Sequence, residues 1–105
     1  AIVIYGRGSQ FILKDHPTAF HVLVVAPLAL RVRRVIEDMN LDEDAARKQI
    51  ESYDSSRREF IKRYFQAKLE DSVNYDIVIN TEHLGFDEAA SIVVNALPFK
   101  GKTDL

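Results

Sequence analysis

The sequence predicts an α/β protein with three layers, in which helices cover both faces of a mainly parallel sheet. Short segments rich in Val and Ile, bounded by turn residues, predict strands at about 1–5, 20–26 and 75–80. None of them alternates cleanly between apolar and polar residues, which is typical of strands covered on both faces. Segments with helical periodicity separate these strands, so the order of elements predicts crossover connections.

Length and composition narrow the class of protein. The chain has 105 residues, of which 47% are hydrophobic and 29% charged, so we predict a single globular domain over residues 1–105. A net charge of −2 argues against a nucleic-acid partner, and the absence of cysteine excludes disulfides and thiolate chemistry. The longest apolar run, AFHVLVVAPLAL, is too short to span a bilayer and follows no signal-peptide pattern. We therefore expect a soluble cytoplasmic protein without a membrane partner.

Two helices are predicted between the second and third strands. Pro27 suits the first position of a helix that follows strand 20–26. Asn40, with Glu43 three residues later, is typical of an N-cap and its reciprocal glutamate, and predicts a long helix over about 41–69. The apolar stripe of that helix, at steps of four and three, is Ala46, Ile50, Tyr53, Arg57, Phe60 and Tyr64.

Arg57 occupies a position of this stripe where an apolar residue is expected. Burying a guanidinium is costly without a partner, so the position requires an anion nearby. Asp54, one helical turn earlier, is one possible partner. The alternative is that Arg57 faces a cleft and binds phosphate. The spacing alone leaves both interpretations open.

A second candidate site is the sequence Gly6-Arg7-Gly8, which directly follows the apolar run AIVIY. One interpretation is a tight turn with a solvated arginine. The other is that Gly6 and Gly8 leave room for an anion to reach the backbone and the Arg7 guanidinium. Ser9 is then expected to cap the short helix that follows.

Arg31 lies in the first helical turn after strand 20–26, at the edge of the sheet where α/β proteins bind ligands. It has no acidic residue three or four positions later, whereas Arg33 and Arg34 are each followed at that distance by an acid. Arg31 is therefore a candidate binding residue, while Arg33 and Arg34 are typical of a solvated face.

Two further patterns do not predict sites. Gly101-Lys102-Thr103 resembles the end of a phosphate-binding loop, but position 96 is alanine where that motif requires glycine. His16, His21 and His83 lack the pair spacing of metal ligands, so no metal site is predicted.

Four segments, in order, carry a resemblance to a known family: IYGRGSQFIL, HVLVVAPLALRVRR, the D-S-S-R of residues 54–57 with FIKRYF, and YDIVINTEHL. Together they resemble the C-terminal two thirds of the cytidylate kinase-like family, within the nucleoside monophosphate kinase group of P-loop phosphotransferases. The resemblance implies a partial P-loop kinase fold in which 41–69 is a lid-type helix and 1–105 is part of a larger domain.

The resemblance also implies roles for the candidate residues. Arg7, flanked by Gly6 and Gly8, matches the arginine that meets the phosphate of the nucleoside monophosphate. Arg57 matches a lid arginine on the transferring phosphoryl group, and Asp54 its acidic companion near the acceptor.

Arg31 matches an arginine beside the base of ATP, so ATP and Mg²⁺ are implied as well. The departures are Gly8 and Tyr5, where cytidylate kinases have acids, and Ile50, where a second lid arginine is expected. These departures leave the identity of the acceptor open.

The function predicted from the resemblance is the acceptor-binding and lid half of a nucleotide kinase, inactive alone because its phosphate loop is missing. The alternatives are a non-catalytic nucleotide- or anion-binding module and a self-association module. The expected partners are a nucleotide substrate and either a second copy of the chain or a missing N-terminal segment.

Overall fold

A computed structural model describes residues 2–6 and 8–100. These residues form two compact units. The first contains the described residues up to Val24 and from Glu70 onward, and the second runs from Val25 to Leu69. A division into two compact units by internal contacts does not test whether the chain is one domain. The single domain expected over residues 1–105 therefore stays a prediction.

The first unit contains a two-stranded parallel sheet with short helical segments. Its elements are helix α1 (Ser9–Ile12), strand β1 (Val22–Val25, whose last residue opens the second unit), a 3₁₀ turn (Ser72–Asn74), strand β2 (Ile77–Asn80), helix α4 (Phe86–Ala96) and a final 3₁₀ turn (Leu97–Phe99). The predicted strands at 20–26 and 75–80 are confirmed.

The two strands are buried on one side only. Leu23 and Ile79 are buried, whereas Val24 and Val78 are 57% and 41% exposed. Within the described residues, these two strands are thus covered on one face at these positions. A continuous apolar run predicts a strand correctly here, but it does not show which elements cover that strand.

The strand predicted at 1–5 is also absent from the described part of that segment. Residues 2–5 are not assigned to the sheet, and Ile2, Val3 and Tyr5 are 88%, 96% and 87% exposed. A strand forms only when a neighbouring strand satisfies its backbone groups, and apolar composition does not supply that neighbour.

The second unit consists of helices α2 (Leu28–Met39) and α3 (Glu43–Phe65), which pack against each other. Val32 from α2 and Ala46 and Ile50 from α3 form its buried cluster. Partly buried apolar side chains surround this cluster: Leu28, Val35, Ile36 and Leu41. Pro27 is the N-cap of α2 and not its first helical residue.

Helix α3 begins later than predicted because another residue caps it. The Asp42 carboxylate accepts a hydrogen bond from the backbone N–H of Ala45 at 2.7 Å, which satisfies a free N–H of the first turn. Asn40, the predicted N-cap, instead ends α2 in a left-handed conformation with φ of 53°. The prediction for Asn40 is therefore wrong.

Helix α3 also ends earlier than the predicted 41–69. Gln66 takes a left-handed conformation, with φ of 50°, and its backbone N–H donates to the carbonyl of Lys62. This is the usual geometry at the C-terminus of a helix, although glycine is the commoner residue there. Leu69, at the predicted end of the helix, lies beyond it and is buried.

The apolar stripe of α3 is buried only in its first half. Ala46 and Ile50 are buried, but Tyr53, Phe60 and Tyr64 are 52%, 42% and 60% exposed. None of the described helices is long and apolar enough to cross a membrane.

Candidate functional site

Gly6 and Gly8 both adopt left-handed backbone conformations, with φ of 73° and 69°. Side chains other than that of glycine rarely adopt this conformation, so both glycines are explained by a turn. A Cβ atom added at Gly6 meets no heavy atom within 4 Å, which leaves the space beside this glycine open. Arg7, the predicted phosphate ligand, lies outside the described residues, and its role stays a prediction.

The short helix α1 follows this turn. Gly8 is its N-cap and Ser9 its first residue, and no side chain caps it. The prediction that Ser9 caps this helix is therefore wrong.

Arg31 and Asp54 form an ion pair that links α2 to α3. Arg31 Nη2 donates to both carboxylate oxygens of Asp54, at 2.6 Å and 2.8 Å. The Arg31 side chain is 33% exposed and that of Asp54 is 13% exposed, so the pair is largely shielded from solvent. Charge-assisted hydrogen bonds of this length are stronger than neutral ones, and this pair fixes the position of the Arg31 guanidinium relative to α3.

Asp54 therefore has a partner different from the one that its spacing indicated. Arg57 lies one turn after Asp54 on α3, but among the described contacts no ion pair joins the two residues. The intrahelical pair considered from the sequence is not formed. Asp54 instead accepts hydrogen bonds at both oxygens from an arginine 23 positions earlier, on the preceding helix.

Arg57 instead lies over an aromatic ring. Its Cζ atom is 5.4 Å from the centroid of the Tyr53 ring, within the range of a cation–π contact. The contact joins residues four positions apart on one face of α3. The ring attracts the guanidinium through its π face and uses none of its N–H donors, so those donors remain available to an anion. The spacing of Tyr53 and Arg57 in the sequence was the signal for this contact.

The sequence-predicted residues therefore fall into two groups. Arg31, Asp54 and Arg57 belong to the second unit, and we call these three together with Tyr53 the α2–α3 arginine site. Gly6 and Gly8 belong to the first unit.

A separate polar cluster lies in the first unit, beside the N-terminal ends of both strands. Asp76 accepts hydrogen bonds from Lys100 Nζ at 2.6 Å and from the His21 backbone N–H at 2.7 Å. Burial raises the pKa of Asp76, but the hydrogen bonds from Lys100 and His21 outweigh it, and the pKa lies below its usual value. The cluster borders a cavity of about 210 Å³ that His21 helps to line. The Nε2 atom of His21 is buried and has no hydrogen-bond partner.

Residues 2–6 and 8–100 contain no cluster of metal ligands. No group of three or more His, Asp or Glu side chains in that part of the chain is arranged to hold a metal ion. Gly101-Lys102-Thr103 lies outside the described residues.

Within the second unit, one arginine is held by a carboxylate and a second keeps its donors available, and arginine is a residue suited to binding carboxylate and phosphate groups. The sequence model of the cytidylate kinase-like family matches residues 1–83. The chain therefore belongs to the cytidylate kinase-like family, and its α/β structure is that of a partial αβα kinase-like fold.

Individual relatives agree with this assignment. A cytidylate kinase of Thermoplasma acidophilum is 29% identical over 105 residues, which cover 99% of this chain and 56% of that protein. A cytidylate kinase of Desulfurococcus amylolyticus is 34% identical over 94 residues, covering 88% of this chain and 49% of that protein. The solved structure of an uncharacterized protein from Eubacterium ventriosum superposes with a TM-score of 0.85 at 25% identity, covering 90% of this chain and 53% of that one.

A uronate isomerase of Corynebacterium glutamicum is 33% identical over 92 residues, but the match takes in only 18% of that protein. Its name therefore carries no argument about this chain. The chain spans about half the length of the cytidylate kinases that it matches.

Proposed function

We propose that this chain is the acceptor-binding and lid part of a nucleotide kinase, which transfers a phosphoryl group from ATP to a nucleoside monophosphate or a similar acceptor. The observation that carries the proposal is the partner of Asp54. Because Arg31 binds both oxygens of that carboxylate, the neighbouring Arg57 keeps its positive charge uncompensated by Asp54.

An arginine whose charge is not compensated by a neighbouring carboxylate suits phosphoryl transfer. The protein contributes mainly by positioning the phosphates and by stabilising negative charge in the transition state. The Arg57 guanidinium has five N–H donors and is oriented by the Tyr53 ring, so it is prepared to donate two parallel hydrogen bonds to one phosphoryl group. We assign Arg57 to the transferring phosphoryl group.

Arg31 and Asp54 have a different role in this proposal. With Nη2 bound to Asp54, Arg31 retains its other donors for ATP, in a position set by the carboxylate. Asp54 is then a positioning residue for Arg31. The catalytic role near the acceptor, which the family resemblance implies for Asp54, stays a prediction.

Arg7 has a separate assignment in this proposal. It is assigned to the phosphate of the nucleoside monophosphate, and the open space beside Gly6 supports this role. Mg²⁺ is proposed as a companion of ATP because it is usually held by one or two carboxylates together with the phosphates of the substrate.

The test is phosphoryl transfer by the full-length protein. The γ-phosphate of ATP is radiolabelled, and each common nucleoside monophosphate is offered separately as acceptor. The proposal expects a labelled diphosphate from at least one of them, and CMP is the first candidate. ATP consumption without any labelled nucleotide, or no ATP binding at all, would contradict the proposal.

Self-association is a second candidate function, favoured by the exposed aromatic face of α3. The rings of Phe60 and Tyr64 lie 4.9 Å apart and are both substantially exposed. Exposed aromatic clusters are enriched at protein interfaces. Sedimentation of the full-length protein distinguishes the cases: a dimer that Phe60→Ser converts to monomer supports association through this face, and a monomer at high concentration excludes it.

A further inference from the structure

We infer that Tyr53 is a positioning residue for phosphate recognition, because its ring holds the Arg57 guanidinium in place without occupying any of the hydrogen-bond donors. This inference rests on the proposed function and extends it to a residue that the family resemblance does not include. It assigns a role to a tyrosine that is 52% exposed and makes little contribution to the core.

The geometry supports this role in two ways. Tyr53 and Arg57 are four residues apart on α3, so the helix brings the ring and the guanidinium to one face. The distance of 5.4 Å from the Arg57 Cζ atom to the ring centroid lies within the cation–π range. A contact with the π face limits the conformations of a long side chain, which otherwise loses considerable entropy when it binds an anion.

A carboxylate at the same position would act differently. The ion pair between Arg31 and Asp54 occupies the Nη2 donors of Arg31 and places a negative charge beside the guanidinium. An aromatic ring orients a guanidinium but leaves its formal charge and its five donors available. Tyr53 is thus suited to an arginine that must bind and release a phosphoryl group in each cycle.

The same helix offers a control. Arg63 lies over the ring of Tyr64, with 5.8 Å from the Arg63 Cζ atom to the ring centroid. Tyr64 is 60% exposed, which is close to the exposure of Tyr53. Both contacts place a guanidinium beside an exposed tyrosine ring, although Arg57 is half-buried and Arg63 is exposed, and only the first contains an arginine assigned to the substrate.

The experiment measures the affinities of the full-length protein for ATP and for ADP by calorimetry. ADP lacks the γ-phosphate, so the ratio of the two affinities reports the contact with that group. Tyr53→Leu is expected to lower the ATP affinity by about two- to fivefold and to leave the ADP affinity unchanged. Tyr53→Phe keeps the ring and is expected to restore the wild-type ratio, and Tyr64→Leu to leave both affinities unchanged.

Arg57→Ala separates this inference from the proposed function. If Arg57→Ala lowers the ATP affinity while Tyr53→Leu does not, the role of Tyr53 is wrong and the proposed function stands. If Arg57→Ala leaves the ratio at its wild-type value, the proposed role of Arg57 fails, and the role of Tyr53 fails with it. A Tyr53→Phe variant as weak as Tyr53→Leu would also overturn the inference, because the ring alone would then be insufficient.

Discussion

The carboxylate of Asp54 is bound by Arg31, 2.6 Å away on the preceding helix, and not by Arg57, its neighbour one turn along the same helix. This single choice of partner determines the chemistry of the α2–α3 arginine site. It fixes one arginine against a carboxylate and leaves the other with its charge available to a ligand.

The pair between Arg31 and Asp54 is expected to stabilise the packing of α2 on α3. In a double-mutant cycle with Arg31→Met and Asp54→Asn, we expect a coupling free energy of about 1–2 kcal/mol, reduced from that of a fully buried pair by the partial exposure of Arg31. Urea denaturation of the full-length protein measures it.

The exposed pair between Arg47 and Glu43 provides the control for this cycle. Its atoms are 3.6 Å apart and its side chains are 41% and 71% exposed, so its coupling should stay below about 0.5 kcal/mol. Equal coupling energies for the two pairs would contradict the structural role given to Asp54.

The N-cap of α3 gives a second prediction. Asp42→Ala removes the acceptor of the Ala45 N–H and should lower the free energy of unfolding by about 1 kcal/mol. Asn40→Gly should be neutral or stabilising, because glycine adopts the left-handed conformation of Asn40 without strain. Thermal denaturation measures both variants. If Asn40→Gly is destabilising and Asp42→Ala is not, the cap is Asn40, as the sequence pattern indicated.

The lowered pKa of Asp76 predicts that the stability of the protein depends on pH in the acid range. Its pKa is lower in the folded protein than its ordinary value of 3.8. The unfolded chain therefore binds a proton more readily, so the contribution of Asp76 is fully present above pH 4 and is lost as the pH falls through the folded pKa. Melting temperatures between pH 5 and about 2.5 should fall less steeply for Asp76→Asn than for the wild type. Parallel curves would show that Lys100 and His21 do not hold this carboxylate in solution.

The strands at 20–26 and 75–80 were predictable because they combine Val and Ile with flanking turn residues. The run at 1–5 has the same composition, yet residues 2–5 form no strand. Whether such a run forms a strand depends on the presence of a neighbouring strand. That is a property of the tertiary structure and cannot be read from the sequence of the segment itself.

The candidate site was likewise predictable only in part. Arg31, Asp54 and Arg57 were identified from their positions, but the partner of Asp54 was not. Arg57 has the helical spacing of a partner for Asp54, and Arg31 lies at the predicted ligand-binding edge of the sheet, so the sequence allows both. Only the packing of α2 against α3 brings Arg31 to Asp54. Likewise, both Asn40 and Asp42 are good N-cap residues, and the left-handed backbone at Asn40 decides the boundary.

The 105 residues by themselves are expected not to transfer phosphate. Their sequence contains no G-x-x-x-x-G-K-[ST] motif, so they lack the backbone cradle and the lysine that hold the β- and γ-phosphates. The purified 105-residue polypeptide, incubated with ATP, Mg²⁺ and CMP, should form no CDP. CDP formation in proportion to the concentration of this polypeptide would contradict the expectation.

The measurement that tests the central claim most directly is the kcat of the full-length protein for phosphoryl transfer from ATP to its best nucleoside monophosphate acceptor. Arg57→Ala is compared with Arg33→Ala, which removes an exposed arginine of α2. We predict that Arg57→Ala lowers kcat by about 100-fold or more, as the loss of one donor to transition-state charge does, while Arg33→Ala retains wild-type turnover. Equal turnover by the two variants would contradict the claim that the α2–α3 arginine site provides Arg57 to the transferring phosphoryl group.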